Sequence, residues 1–326
     1  MPEDRKFKAA VPDQSYWTEM VKCRQSCPVH TDARGYVRAI AEGRFEDAYR
    51  IAREPNPFAS VCGRVCAAPC EAACRRGAVD GPIAIRPLKR FLTERYGTEA
   101  ERPLGQPTGV RLVVRGPETS RAQNPWDLTA LRRTGEAVRD KTKGRKVAIV
   151  GSGVAGLTCA HDLALLGYKP TVFEAQSVPG GMLKLGVPEY RLPRDLVRAE
   201  IQGVLDLGVE LKVNNAIGRD FNMADLKEQG FESVFIAIGA HKSRNLPIEG
   251  VELDGVFRAV EFLLNVNLGF KVDLGERVIV VGGGDVAMDA ARTAARAIQA
   301  GPDHEAIVDA TAMSGTMDVA REALRM

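Results

Sequence analysis

A chain of 326 residues has the length of two or three domains, and 45% hydrophobic with 27% charged residues is the composition of an ordinary globular core. The net charge of +3 is too small to argue for a nucleic acid or an anionic membrane surface. No apolar run approaches the length of a bilayer span and the first residues lack a signal-peptide core, so the sequence reads as cytoplasmic.

The first segment, residues 1–97, reads as a small α-helical domain carrying six of the seven cysteines. Cys23 and Cys27 stand in CRQSCP; Cys62, Cys66, Cys70 and Cys74 stand in CGRVCAAPCEAAC, with three residues between each and the next. Between the groups, Asp32 to Arg53 predicts two short helices joined at Gly43, with Tyr36, Val37, Ile40, Phe45, Ala48 and Ile51 as their apolar face. In a reducing compartment such clustering favours metal ligation over disulfides. Thiolates hold iron–sulfur clusters, often with a proline after the closing ligand, which is the form of Cys27-Pro28. Pro69 and Gly63 predict irregular backbone around the second group. The competing readings are a structural zinc site and buried thiols without a ligand.

Residues 56–91 resemble the N-terminal iron–sulfur domain of the NADPH-dependent glutamate synthase small subunit and the corresponding part of dihydropyrimidine dehydrogenase. The resemblance implies a [4Fe–4S] cluster on Cys27, Cys66 and Cys70. A second cluster in that family uses the positions of Cys23 and Cys74 with two further cysteines upstream, and here no cysteine precedes Cys23. The non-cysteine fourth ligand of the first cluster falls near Lys89, and an ammonium is a poor ligand. One cluster is therefore expected, its fourth ligand being Cys74, Cys62 or Cys23.

Residues 98–145 are polar and basic, a connector in which only Val110 to Val114 looks strand-like and Trp126 is a packing or anchoring aromatic. Residues 146–275 follow as a doubly wound α/β domain. Val147 to Val150 predicts a buried strand, and Gly151, Gly153 and Gly156 follow in G-x-G-x-x-G spacing. A helix then begins at Val154 and Ala155, and a second strand, Thr171 to Phe173, runs into Glu174. Gly151 permits the turn, Gly153 lets a pyrophosphate approach the backbone, and Gly156 lets the helix pack on the sheet. The helix N-terminus faces the phosphates. Glu174 is placed to accept hydrogen bonds from an unphosphorylated ribose, hence FAD or NAD.

Val178 to Pro193 (VPGGMLKLGVPEYRLP) is similar to the loop that lies beside FAD in the same family. That resemblance implies Gly181, Met182 and Leu183 along the cofactor, Arg191 as a polar contact and adenine-contacting backbone near Ile217. Leu196 to Leu207 predicts an amphipathic helix and Val209 to Val213 a strand. Val234 to Ala240 predicts another buried strand, ending at Gly239, where the switch-point rule places cofactor contact.

The last segment, residues 276–326, opens on a second motif, RVIVVGGGDVAMDAARTA. Val278 to Val281 predicts a strand, and Gly282, Gly284 and Ala287 give the G-x-G-x-x-A variant with Asp285 and Val286 in the first helical turn. It reads as the beginning of an inserted NAD(P)-binding domain, without the strands that would complete it. The chain thus reads as part of a longer or split protein.

The functional expectation is an electron-transfer flavoprotein subunit passing electrons between NAD(P)H, FAD and a [4Fe–4S] cluster, to or from a larger oxidoreductase partner. No side-chain acid or base is required, because the cofactors carry the chemistry. A non-catalytic assembly subunit retaining fold and cluster is the alternative.

Overall fold

A computed structural model describes residues 20–100, 142–243, 246–275 and 277–299. These fall into two compact units, divided between residues 100 and 142.

The first unit is helical. It contains α1 (Lys22–Gln25), α2 (Ala33–Ala41), α3 (Phe45–Arg53), α4 (Ala59–Val65), α5 (Pro69–Ala72), a 3₁₀ turn (Arg75–Ala78) and α6 (Ile85–Tyr96). Asp32 caps α2 by accepting a hydrogen bond from Gly35 N at 2.9 Å. Gly43, at φ +74°, makes the turn into α3. The core gathers Ala33, Tyr36, Ala39, Ala48, Ala52, Ile85 and Leu92, with Val37, Ile40, Phe45 and Ile51 packed against it.

The backbone around the second cysteine group is more regular at one point than its glycine suggested. Gly63 lies inside α4, where an added Cβ would stand 3.0 Å from the Arg90 Cα. Its missing side chain lets α4 pack closely on α6. The break comes after α4, where Cys66 is extended, Ala68 sits at φ +52° and Pro69 starts a new helix.

The second unit is built on a parallel sheet of order β3-β2-β1-β4. Its elements are β1 (Lys146–Val150), α7 (Val154–Leu165), β2 (Lys169–Phe173), α8 (Met182–Leu185), α9 (Arg194–Leu205), β3 (Glu210–Lys212), α10 (Met223–Glu228), β4 (Ser233–Ile236), α11 (Ala259–Asn267) and α12 (Asp285–Gln299). In register, Val150 lies opposite Phe173 on one side and Ile236 on the other. All side chains of β1 beyond Lys146 are buried, as expected of a central parallel strand.

Two strand expectations change. β4 pairs with β1 but forms the sheet edge, with Phe235 and Ile236 exposed rather than buried. Val278 to Val281 forms no strand: Ile279 is 90% exposed, and among the described residues no neighbouring strand receives it. A parallel strand is stable only when paired and covered on both faces, so β-branched composition alone does not make one. The Val110 to Val114 strand and Trp126 lie outside the described residues.

Candidate functional site

In the helical unit, α1 leads to Cys27, whose thiol points toward the Thr31 hydroxyl at 3.7 Å. Cys62 lies on α4, Cys66 closes that helix, and Cys70 lies on α5. Ala68 N donates to the Cys66 sulfur at 3.3 Å. Hydrogen bonding from the Cys62 thiol, helped by Ala68 N–H and the charges of Lys89 and Arg86, pulls the Cys66 thiol down to about 6. Cys62, raised first by its interaction with Cys66 and then by partial burial, is held above the usual thiol range. Burial, then the charges of Cys27 and Cys66, push the Cys70 thiol up to about 11. Cys62 thus interacts with Cys66, and the charges of Cys27 and Cys66 both reach Cys70.

Tyr36 is fully buried in the helical core against which Cys23 and Cys70 pack, its hydroxyl donating to Ile85 O at 2.9 Å. Burial raises it most, and the charges of Cys70, Cys62, Cys27 and Cys23 follow. Cys23, raised by burial, also feels the charge of Cys74. Cys74 is lowered, chiefly by a backbone hydrogen bond from Ile83. Among the described residues no three His, Cys, Asp or Glu side chains converge as on one metal ion. The thiolates of an iron–sulfur cube bind separate irons and so stand further apart than the ligands of a single zinc. A set of cysteines drawn from loop and helix ends around one buried hub fits the cube.

In the α/β unit, the glycine turn is assembled as its spacing requires. Gly151 sits at φ +108°, and a Cβ there would collide with the Ala237 carbonyl. At Gly156 a Cβ would strike the Gly151 carbonyl. Gly153 faces open space, and no side chain caps the first turn of α7, where Val154 and Ala155 are exposed. The free N–H groups of that turn are therefore available to an anion.

Glu174 is 8% exposed and preorganised: its Oε2 accepts from Ser152 N at 2.9 Å and from the Ser152 hydroxyl, and its Oε1 from Gln176 N at 2.8 Å. Gly180 N donates to Ser152 O at 3.1 Å, and a Cβ on Gly181 would stand 3.0 Å from the Gly153 Cα. The diglycine loop thus crosses directly over the glycine turn. Gly239, at φ +74°, follows β4 just beyond Ala237, whose N–H donates to Val150 O at 2.7 Å. Ile217 lies past β3, bridged to Phe221.

Met182 and Leu183 open α8. Arg194 anchors this segment, donating to Leu183 O at 3.0 Å and to Asn267 Oδ1 at 2.8 Å, while Asn267 donates to Leu185 O at 2.9 Å. Arg191 is paired with Asp289 on α12, Nη1 to Oδ2 at 2.8 Å. Gly282, at φ +124°, lies against Ala287, and Asp285 and Val286 begin α12. A cavity of about 280 Å³, lined by Tyr190, Arg194, Asn267 and Arg296 among others, lies beside α11 and α12 and shares no residue with the glycine turn.

Sequence reasoning did not single out Ser152, Arg194, Asn267 or Asp289. Ser152 carried a local signal, standing inside the glycine run; the other three act across 73 to 98 residues, beyond any spacing rule.

Comparison with known proteins agrees with this division. Residues 17–101 match the family described as dihydropyrimidine dehydrogenase domain II, 4Fe-4S cluster, and residues 145–318 match that described as pyridine nucleotide-disulphide oxidoreductase. The chain is 43% identical to the NADP(+)-dependent formate dehydrogenase subunit beta of Moorella thermoacetica, over 84% of the chain and 38% of that relative. It is 37% identical to the NADPH-Fe(3+) oxidoreductase subunit beta of Geobacter sulfurreducens, over 84% and 37%. With the glutamate synthase [NADPH] small chain of Escherichia coli it shares 30% identity, over 84% and 54%. The chain spans between about a third and just over half of the length of these relatives.

Proposed function

The chain belongs to the pyridine nucleotide-disulphide oxidoreductase family, and from that premise we propose that it is an electron-transfer flavoprotein subunit working between NAD(P)H, FAD, one [4Fe–4S] cluster and a partner oxidoreductase. The observation that carries this reading is the pairing, in one chain, of a thiol group around Tyr36 with a glycine turn whose ribose acid is already held in place. Bound flavin and cluster together convert the two electrons of a hydride into single electrons.

The chain's own residues bind and orient. Uncapped N–H groups at Gly153, Val154 and Ala155 hold the diphosphate; Glu174 accepts from the ribose hydroxyls; Gly181, Met182 and Leu183 lie along the flavin, with Ile217 and Gly239 contributing backbone. The start of α12, from Gly282 to Ala287, holds the diffusible nucleotide, and three relatives carry NADP(+) or NADPH in their names. For the cluster, Cys27, Cys66 and Cys70 are the ligands with Cys62 as the fourth, supported by the charges of Cys27 and Cys66 that reach Cys70 and by the Lys89 ammonium at the Cys62 sulfur. Cys23, governed chiefly by burial, and Cys74, governed chiefly by the backbone hydrogen bond from Ile83, are left outside the set.

Partners of the kind named in the relatives, large oxidoreductase subunits, would receive or supply the single electrons. No helix among the described residues is long and apolar enough to cross a membrane. Anaerobic purification of the full chain with iron, sulfide and flavin analysis, followed by NAD(P)H-dependent dye reduction, tests the reading. Absence of flavin and iron, or full cofactor content without dye reduction, would overturn it; the latter result would favour an assembly subunit.

A further inference from the structure

Lys89 lies on α6 and is only 5% exposed, an unusual place for an ammonium. Its Nζ donates to the Cys62 sulfur at 3.5 Å and stands 6.0 Å from the centre of the Tyr36 ring. Those are its partners among the described residues, and neither is a carboxylate. Burying a cation without a counter-charge costs several kcal/mol, so the fold should supply an anion nearby. The thiol group is the candidate: the Lys89 charge acts on Cys62, Cys66 and Cys70 together.

Cys62 points at Lys89 from α4, and α4 meets α6 through the close approach that Gly63 allows. The ammonium is thus fixed by helix packing rather than carried on a mobile loop. It cannot donate a lone pair to iron as a charged group, which separates its role from that of the thiols.

We infer that Lys89 is the counter-charge of the [4Fe–4S] cluster and sets its reduction potential, a role that rests on the cluster assignment proposed above. Reduction adds one electron and one negative charge to the thiolate-bound cluster, with no bond made or broken. A buried positive charge beside a ligand sulfur favours the reduced, more negative form. Removing the charge therefore lowers the potential, while moving it within the same space does not. Lys89 is a positioning residue for charge, not a ligand.

The test is a redox titration of the anaerobically purified full chain, with the reduced cluster read by electron paramagnetic resonance. Lys89→Met, loaded with wild-type iron and sulfide, should shift the one-electron equilibrium at least tenfold toward the oxidised cluster, a fall of about 59 mV. Lys89→Arg should stay within threefold of wild type. A loaded Lys89→Met protein within threefold of wild type overturns the inference. Should Lys89→Met fail to hold the cluster, Lys89→Arg decides: a loaded arginine variant with the wild-type equilibrium supports the charge, and loss of the cluster there too overturns it in favour of side-chain shape. A wild-type chain without iron and sulfide would instead sink the cluster assignment itself, a result distinguishable from an unchanged potential.

Discussion

Arg191 and Asp289 are 98 residues apart in the chain and joined by a hydrogen bond of 2.8 Å, with 19% and 8% of their side chains exposed. The pair ties the loop after the diglycine, which the sequence assigned to the flavin, to the helix that follows the second glycine run. Tyr190 reinforces the junction: the guanidinium carbons of Arg292 and Arg296 stand 4.4 and 4.0 Å from its ring centre.

Burial raises the Asp289 carboxyl above its usual range despite the opposing pull of Arg191. The charge itself therefore contributes little net stability, while the oxygen acceptor still matters. Asp289→Asn should cost about 1 kcal/mol and Asp289→Ala about 2–3 kcal/mol, because alanine leaves Arg191 without a partner. Chemical denaturation of the full chain measures both; equal losses would contradict the account.

Gly151 and Gly153 should respond oppositely to alanine. Gly151→Ala forces a positive φ on a side chain and drives it into the Ala237 carbonyl, so the fold should lose about 2 kcal/mol or more. Gly153 has φ −70° and open space beside it, so Gly153→Ala should leave thermal stability nearly unchanged. Its added methyl instead occupies the approach of the diphosphate, and FAD affinity should fall at least tenfold. Melting curves and flavin release separate the two effects.

Serine scanning of the six clustered cysteines should divide them. Cys27→Ser, Cys62→Ser, Cys66→Ser and Cys70→Ser should each lower iron and sulfide content, since each removes a thiolate from the proposed set. Cys23→Ser and Cys74→Ser should retain it. Iron loss in Cys74→Ser with retention in Cys62→Ser would move the fourth ligand to Cys74.

Asp220 provides a pH test in the turn that carries Ile217. Hydrogen bonds from Arg219, then from Ala216 N at 2.8 Å, hold its carboxyl at about 2, below the ordinary 3.8. The shift is downward, so this contribution to the turn carrying Ile217 is present above 3.8 and lost as pH falls toward 2. A nuclear magnetic resonance titration should place the Asp220 midpoint near 2, and Arg219→Ala should move it up. A midpoint near 3.8 in the unsubstituted chain would remove the turn's proposed support.

Much of the α/β unit could be read in one dimension because its constraints are local. Gly151, Gly156 and Glu174 answer to turn sterics and to a β-α-β order whose parts follow one another within 24 residues, from 151 to 174. The paired helices around Gly43 were legible for the same reason: cap, period and turn lie within one short segment. Apolar composition was less informative at Val278 to Val281 and at β4, since a run of valine and isoleucine states a preference for pairing and cannot supply the partner strand.

What belongs to the sequence alone is the chemistry on offer: thiols beside proline, glycines at nucleotide spacing, an acid at the end of the second strand. The tertiary structure decided which of those groups meet. Helix packing at Gly63 set Lys89 against Cys62 across 27 residues, and the fold of the second unit gave Arg191 to Asp289. Charge and burial act through space, so groups distant in sequence acquire their electrostatic roles only when the chain closes around them.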